Sequence, residues 1–257
     1  MKRPWRYVRA AGRLLLLLSS FAGTAASFFF MAGPRADIGR RKRWLQFWTG
    51  RALGCLNVRV QAQGTPPRHG VVVSNHLGYL DILVFSTVNA QVFVAKSEVK
   101  SWPLVGKFVE WSGGWFIERG RPKDVARVNE RAVAVVDNEA VLTLFLEGTS
   151  TDGREVLPFH ASLLGPVVER GWLVTPAALR FTCEGGDPAL CVCWWGDMEF
   201  QPHLLRMLLL DSITAHVEFG EAMRGEGDRK ELAVRLRERV VDLKAGLDRR
   251  IAAAAAA

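Results

Sequence analysis

The sequence predicts an α/β domain: a mixed, largely parallel sheet flanked by helices, preceded by an N-terminal membrane-associated helical hairpin. Three observations carry this. From residue 57 onward, short runs rich in Val, Leu, Ile and Phe alternate with helix-length segments, the pattern of βα units. Residues 14–34 carry no charge. Residues 40–56 mix aromatic and basic side chains at near-helical spacing.

The uncharged run opens with Leu14 to Leu18 and closes at Pro34. About 20 residues of helix reach ~30 Å, one hydrocarbon thickness. Lys2, Arg3, Arg6, Arg9 and Arg13 precede it, and Arg35, Arg40, Arg41, Lys42 and Arg43 follow. Charge asymmetry therefore sets no orientation, and the segment suits a dip into one leaflet as well as a span. A secretory signal peptide shares the basic start, the leucine run and small residues near Ala25 and Ala26. The basic run after the segment is poor material for export, which favours an anchor. Trp44, Leu45, Phe47, Trp48, Leu53 and Leu56 then fit either a core-packing helix or an interfacial one. Pro34 and Gly39 mark the turn between the two helices. Residues 1–56 are expected to anchor the chain, 57–251 to form the α/β domain, and 252–257, all alanine, to be a low-complexity tail that frays.

Within the domain, strands are expected at 58–62, 71–74, 92–95, 114–117, 141–146, 173–179 and 213–219, with one or two more inside 190–200. Helices are expected at 81–89, 103–111, 122–138 and 228–250. Gly64 to Gly70 reads as a turn. Pro176 breaks an apolar strand, as at a bend lining a cleft, an edge or a bulge. The last helix sets Leu232, Val234, Leu236, Val240, Leu243 and Leu247 among charges.

Composition narrows the partners. The 257 residues are 49% hydrophobic, with net charge +8 and a pI near 9.7. A basic, apolar chain fits an anionic surface, either membrane lipid or nucleic acid. Nine Trp against two Tyr favour the membrane, because indole rings prefer the headgroup zone. No zinc-finger spacing or RNA-binding signature is present, so nucleic acid is not expected as a partner. Cys55, Cys183, Cys191 and Cys193 lack a second paired Cys/His element. They read as small buried residues of a reducing compartment, and no metal is expected.

The chemistry gathers in residues 74–81, Ser-Asn-His-Leu-Gly-Tyr-Leu-Asp, directly after Val71-Val72-Val73. His76 and Asp81 are five apart, too far for one helix face, so they meet only if the chain turns between them. Gly78 permits such a turn. An imidazole held by a carboxylate takes a proton from a hydroxyl, typically worth ~10²–10⁴ in rate. A substrate that brings its own hydroxyl makes a serine or cysteine nucleophile unnecessary. Three further motifs fall at strand ends, where α/β folds place their sites. Gly113 to Gly120 ends a strand with Arg119, whose fork suits phosphate or carboxylate. Leu144 to Ser150 ends another with Glu147 in a Gly148-containing loop, where it would pair with Arg119, bind a substrate hydroxyl or simply face solvent. Trp172 to Leu179 carries Pro176.

Together and in this order, the four blocks resemble the glycerolipid (lysophospholipid) acyltransferase family. Asn75, His76 and Asp81 match its Asn-His-x4-Asp block. Ala95-Lys96-Ser97-Glu98 through Gly106 looks like its Lys-containing lead-in. Phe116, Ile117 and Arg119 match the second block. Phe145, Glu147, Gly148 and Thr149 match the third. Val174 and Pro176 match the fourth. The resemblance covers residues 70–200. It implies acyl transfer from acyl-CoA or acyl carrier protein to the hydroxyl of a lysophospholipid, 1-acyl-sn-glycerol-3-phosphate in the type member, giving phosphatidic acid. It implies no cofactor and no metal, and a place on the cytoplasmic face of the inner (plasma) membrane. His76 would be the general base and Asp81 its orienter. Arg119, Glu147, Gly148, Thr149, Asn75 and Lys96 would form the substrate pocket.

Two departures bear on the acceptor. The family's Pro before Glu is Leu146 here, and the usual Arg of the third block is Ser150. A lost charge-assisted bond to phosphate costs about 1.5–3 kcal/mol unless Arg154 or Arg180 replaces it. The acceptor is then open to another lyso-lipid, such as lyso-ornithine lipid. Two other classes remain as alternatives: a lipid-binding protein that keeps the fold without the chemistry, and a serine hydrolase, which the missing Gly-x-Ser-x-Gly elbow disfavours. His160 reads as pocket wall.

Overall fold

The computed structural model describes residues 4–33, 37–89, 91–101, 105–111, 113–118, 122–138 and 140–256. Helix α1 (Trp5–Ser27) runs into a π-helical turn, Phe28–Ala32, and α2 (Ile38–Cys55) returns beside it. Asp37 caps α2, its Oδ1 accepting the Arg40 N–H at 2.8 Å. The domain then alternates: β1 (Val58–Gln63), β2 (Gly70–Ser74), α3 (Leu80–Val88), β3 (Gln91–Lys96), α4 (Val105–Trp111), β4 (Trp115–Ile117), α5 (Pro122–Val136) and β5 (Val141–Leu144). After α6 (Gly165–Arg170) come β6 (Leu173–Glu184), α7 (Pro188–Cys191), α8 (Phe200–Leu209), β7 (Ser212–Phe219), β8 (Met223–Arg224) and α9 (Arg229–Ala256).

The strands form one mixed sheet in the order β1-β7-β6-β2-β5-β3-β4, with β8 on β6. Among the described residues only the β6–β7 and β6–β8 pairings are antiparallel. Every residue of β2, Gly-Val-Val-Val-Ser, is buried, as a central strand covered on both faces must be. Its side chains alternate between two cores. Val72 packs with Leu53, Leu56, Val84, Phe85, Leu179 and Phe181 on the side of α1, α2, α3 and α8. Val71 and Val73 pack with Val128, Leu164, Leu232 and Leu236 on the side of α5, α6 and α9. Near the open edge, β7 alternates half-buried and buried residues, the sign of one covered face.

The N-terminal hairpin shares the first core. Ala10 and Leu17 of α1 and Ala52, Leu53 and Leu56 of α2 are part of it. Three basic residues ahead of the uncharged run, Arg6, Arg9 and Arg13, reach across to the segment that ends α8. Arg6 and Arg9 grip the Asp211 carboxylate at 3.0 and 2.5 Å. Arg13 donates to the carbonyls of Leu208, Leu210 and Asp211 at 3.1, 2.5 and 3.1 Å. Those carbonyls lie at and just beyond the carboxyl end of α8, where the helix dipole favours cations. The other face of α1 stays bare: Trp5, Val8, Leu15, Leu16 and Leu18 are exposed, as is Phe30 beyond it. Among the described residues α1 is the one helix long and apolar enough to cross a membrane. At its far end Phe28 stacks on Trp111 of α4, centroids 4.7 Å apart, with Trp44 edge-on.

One expectation is corrected. No strand forms within 190–200. Asp187 accepts the Ala189 N–H at 3.0 Å and Pro188 starts α7, and α8 begins at Phe200 with Pro202 in its first turn, a position that needs no N–H. Residues 252–256 stand in α9, which runs through Ala256, in keeping with the high helix propensity of alanine. In addition, β5 stops at Leu144, so residues 145–150 form the turn that carries the third motif.

Candidate active site

The carboxyl ends of β2 and β5 are neighbours in the sheet, so the loops that follow them meet. The turn after β2 brings His76 and Asp81 together, with His76 Nδ1 2.7 Å from Asp81 Oδ2. Gly78 makes this possible. Its φ is +149°, and a Cβ there would meet Trp194 at 3.0 Å. Asp81 is 0% exposed. Its Oδ2 also accepts the N–H groups of Leu77 and Gly78 at 2.6 and 3.1 Å. The carboxylate thus closes the turn from its own place in the first turn of α3.

A carboxylate accepts from Nδ1, so Nδ1 carries the proton and Nε2 presents a lone pair. The imidazole ring lies on Phe145, centroids 4.2 Å apart and planes 15° from parallel. Edge and face are therefore both held. The His76 side chain remains 18% exposed. No serine or cysteine bonds to its ring among the described residues.

Asn75, His76 and Leu77 are each tied to a different part of the chain. Asn75 is buried, and its amide exchanges two bonds with the main chain of Leu179 on β6, at 3.0 and 2.8 Å. The His76 N–H donates to Glu147 Oε1 at 2.6 Å, and its carbonyl accepts from Thr151 N at 2.9 Å. The Leu77 carbonyl accepts from Trp194 N at 2.8 Å.

Glu147 is 3% exposed. Its second oxygen accepts the Leu157 N–H at 2.7 Å. Burial raises the pKa of this carboxyl, against the lowering effect of the two amide bonds. Glu147 bridges main chain to main chain, a use its place at a strand end did not announce. Gly148 sits at φ +76°, and a Cβ there would come within 2.9 Å of the His160 ring, which packs against this loop. Thr149 is exposed and Ser150 half-buried. Lys96 ends β3, paired with Ile117 of β4, two strands along from β2. Arg119 lies outside the described residues. The two arginines weighed as stand-ins for a missing charge are both engaged. Arg154 pairs with Asp152 at 3.3 Å, and Arg180 with Asp248 at 3.1 Å and the Gly153 carbonyl at 3.3 Å. Arg237 of α9 donates to the Val156 and Leu157 carbonyls, bracing the loop that Glu147 bonds. Thr151, Leu157, Trp194 and Arg237 act through main-chain bonds, which leave no mark in side-chain spacing.

The mixed sheet thus sets the His76–Asp81 turn at the carboxyl end of β2, beside the loop that carries Glu147. The acyltransferase family model matches residues 57–180. A lyso-ornithine lipid O-acyltransferase of Pseudomonas aeruginosa is 32% identical over 232 residues, covering 89% of each chain. A 1-acyl-sn-glycerol-3-phosphate acyltransferase of Neisseria gonorrhoeae is 30% identical over 180 residues, 65% of this chain and 67% of that protein. The crystal structure of the 1-acyl-sn-glycerophosphate acyltransferase of Thermotoga maritima superposes with a TM-score of 0.66 at 20% identity, over 95% of this chain and 98% of that one, the same fold. The chain belongs to the acyltransferase family. It is an O-acyltransferase of the kind its curated relatives represent.

Proposed function

We propose that this enzyme transfers a fatty acyl group from an acyl thioester to the free hydroxyl of a lyso-lipid, with His76 as general base. The observation that carries the reading is the His76–Asp81 contact, which fixes the ring with Nε2 free. Nε2 takes the proton as the acceptor oxygen attacks the thioester carbonyl. The imidazolium, stabilised by Asp81, returns that proton to the departing thiolate. The donor is acyl-CoA or acyl carrier protein. Arg119, Lys96, Gly148 and Thr149 are proposed to line the acceptor pocket, with Asn75 and Glu147 holding the turn in place.

For the acceptor, two observations favour lyso-ornithine lipid over 1-acyl-sn-glycerol-3-phosphate. The Pseudomonas relative aligns over far more of this chain than the Neisseria one. Ser150 also stands where a phosphate-binding Arg is usual, and an amino-acid headgroup has no phosphate to bind. The bare face of α1, with Phe30 beyond it, supports seating on a membrane, and the cytoplasmic face of the inner membrane is proposed because the reaction needs an acyl thioester donor. The test is purified full-length protein in vesicles, given labelled acyl-CoA or acyl carrier protein and each lyso-lipid in turn. Acylated product that vanishes in His76→Ala is the expected result. Full activity in that variant would sink the base assignment. Lipid binding without product would favour a non-catalytic role.

A further inference from the structure

Half-buried Tyr79 and fully buried His203 form a polar pair that the proposed chemistry does not use. Tyr79 lies inside the turn, just before α3 and two residues ahead of Asp81. His203 comes from α8 and is 0% exposed. The Tyr79 hydroxyl lies 2.9 Å from His203 Nδ1. His203 Nε2 lies 3.0 Å from the Cys193 carbonyl. That carbonyl only accepts, so Nε2 holds the proton. Burial lowers the pKa of His203 to about 4, so the ring is neutral and Nδ1 is an acceptor. Tyr79 must therefore donate. One tautomer and one hydroxyl orientation satisfy the whole chain of bonds.

The pair sits in an aromatic clamp. Phe200 meets the Tyr79 ring edge-on at 5.3 Å, and Trp194 lies 6.0 Å away. Trp194 also supplies the N–H that holds Leu77. The other anchors of the turn come from β6, from the loop after β5 and from Trp194 between α7 and α8. This one comes from α8, the helix whose carboxyl end receives Arg9 and Arg13 of α1. Tyr79 stands between the base and its orienter in sequence, so rotation of the backbone there changes the His76–Asp81 geometry directly. A bond at its hydroxyl resists that rotation.

We infer that Tyr79 and His203 are positioning residues that lock the His76–Asp81 turn against α8. The inference rests on acyl transfer at His76. Tyr79→Phe keeps the ring and removes the one donor. In vesicles, with acyl-CoA and lyso-ornithine lipid, its kcat falls about five- to tenfold, the size of one buried hydrogen bond. KM for both substrates stays near wild type, while the melting temperature drops by the cost of leaving His203 Nδ1 without its donor. His203→Leu gives the same loss, and the double variant Tyr79→Phe/His203→Leu loses no more than either single one. His203→Gln, whose amide offers one acceptor and one donor, restores most of the rate. An unchanged kcat in Tyr79→Phe overturns the inference, as does a change confined to KM or two single losses that multiply in the double variant. A wild-type enzyme that acylates no lyso-lipid refutes the reaction instead. The positioning is then read from diethyl pyrocarbonate modification of His76, followed by mass spectrometry. Faster modification in Tyr79→Phe supports the lock, and an unchanged rate overturns it.

Discussion

Glu147 Oε1 accepts the backbone N–H of His76 at 2.6 Å, so the carboxylate of one strand-end loop fixes the main chain of the proposed base on another. Its partner oxygen holds Leu157. Glu147→Gln would turn one of these acceptors into a donor facing an N–H. We expect a loss of about 1–3 kcal/mol in stability, the cost of an unmet buried group, together with a fall in kcat. Urea unfolding and steady-state kinetics on one preparation read both. Wild-type stability and rate would show that Glu147 braces nothing.

Asp81→Asn keeps an oxygen for Leu77, Gly78 and the His76 ring but removes the charge that stabilises an imidazolium. We expect kcat to fall ~10²–10⁴-fold with lipid binding retained, and His76→Ala to fall at least as far. An Asp81→Asn enzyme within tenfold of wild type would mean that the proton does not pass through His76.

His203 is held near pKa 4 by burial, whereas an unfolded histidine titrates near 6.5. Between those values the unfolded chain binds the extra proton, so stability rises with pH through the window and is lost as pH falls from about 6.5 toward 4. The full shift corresponds to at most about 3 kcal/mol. Unfolding at pH 7 and pH 5 should show a steeper acid loss in wild type than in His203→Gln. Equal slopes would contradict the neutral ring.

The two faces of α1 should separate experimentally. Leu15→Glu with Leu16→Glu alters the bare face and should reduce sedimentation with anionic vesicles while leaving the fold intact. Arg9→Ala with Arg13→Ala breaks the seat on α8 and should lower the melting temperature. If the leucine pair does not affect vesicle binding, the docking surface lies elsewhere.

Ser150→Arg restores a charge in the loop after β5. We expect the rate on 1-acyl-sn-glycerol-3-phosphate to rise relative to lyso-ornithine lipid by about tenfold or more, the value of a charged hydrogen bond. An unchanged ratio would remove Ser150 from the argument about the acceptor.

Much of the strand and helix order was legible because it is local. Val71-Val72-Val73 is buried on both sides, and α9 shows most of its face by period, although Val234, read as one of its apolar positions, is exposed. The failures are also local in cause. Residues 190–200 are apolar enough for a strand, yet Asp187-Pro188 and Pro202 start helices there, and cap chemistry outweighs hydrophobic content. The His76–Asp81 pair was legible because Gly78 sits between them. Glu147 was visible as a strand-end carboxylate, but its use was not, since its partners are main-chain N–H groups that carry no side-chain signature.

By itself the sequence determined the α/β class, the apolar N-terminal helix pair and the His76-x4-Asp81 turn, because each depends on neighbours a few residues away. Tertiary structure alone decided what each charge and hydroxyl touches. Arg9 and Arg13 look like a membrane flank in sequence but cap α8 about 200 positions later. Tyr79 looks like filler but finds His203 124 positions on. Contacts across such separations arise only after the sheet orders its strands, and a buried polar group must then take whichever partner the packing supplies.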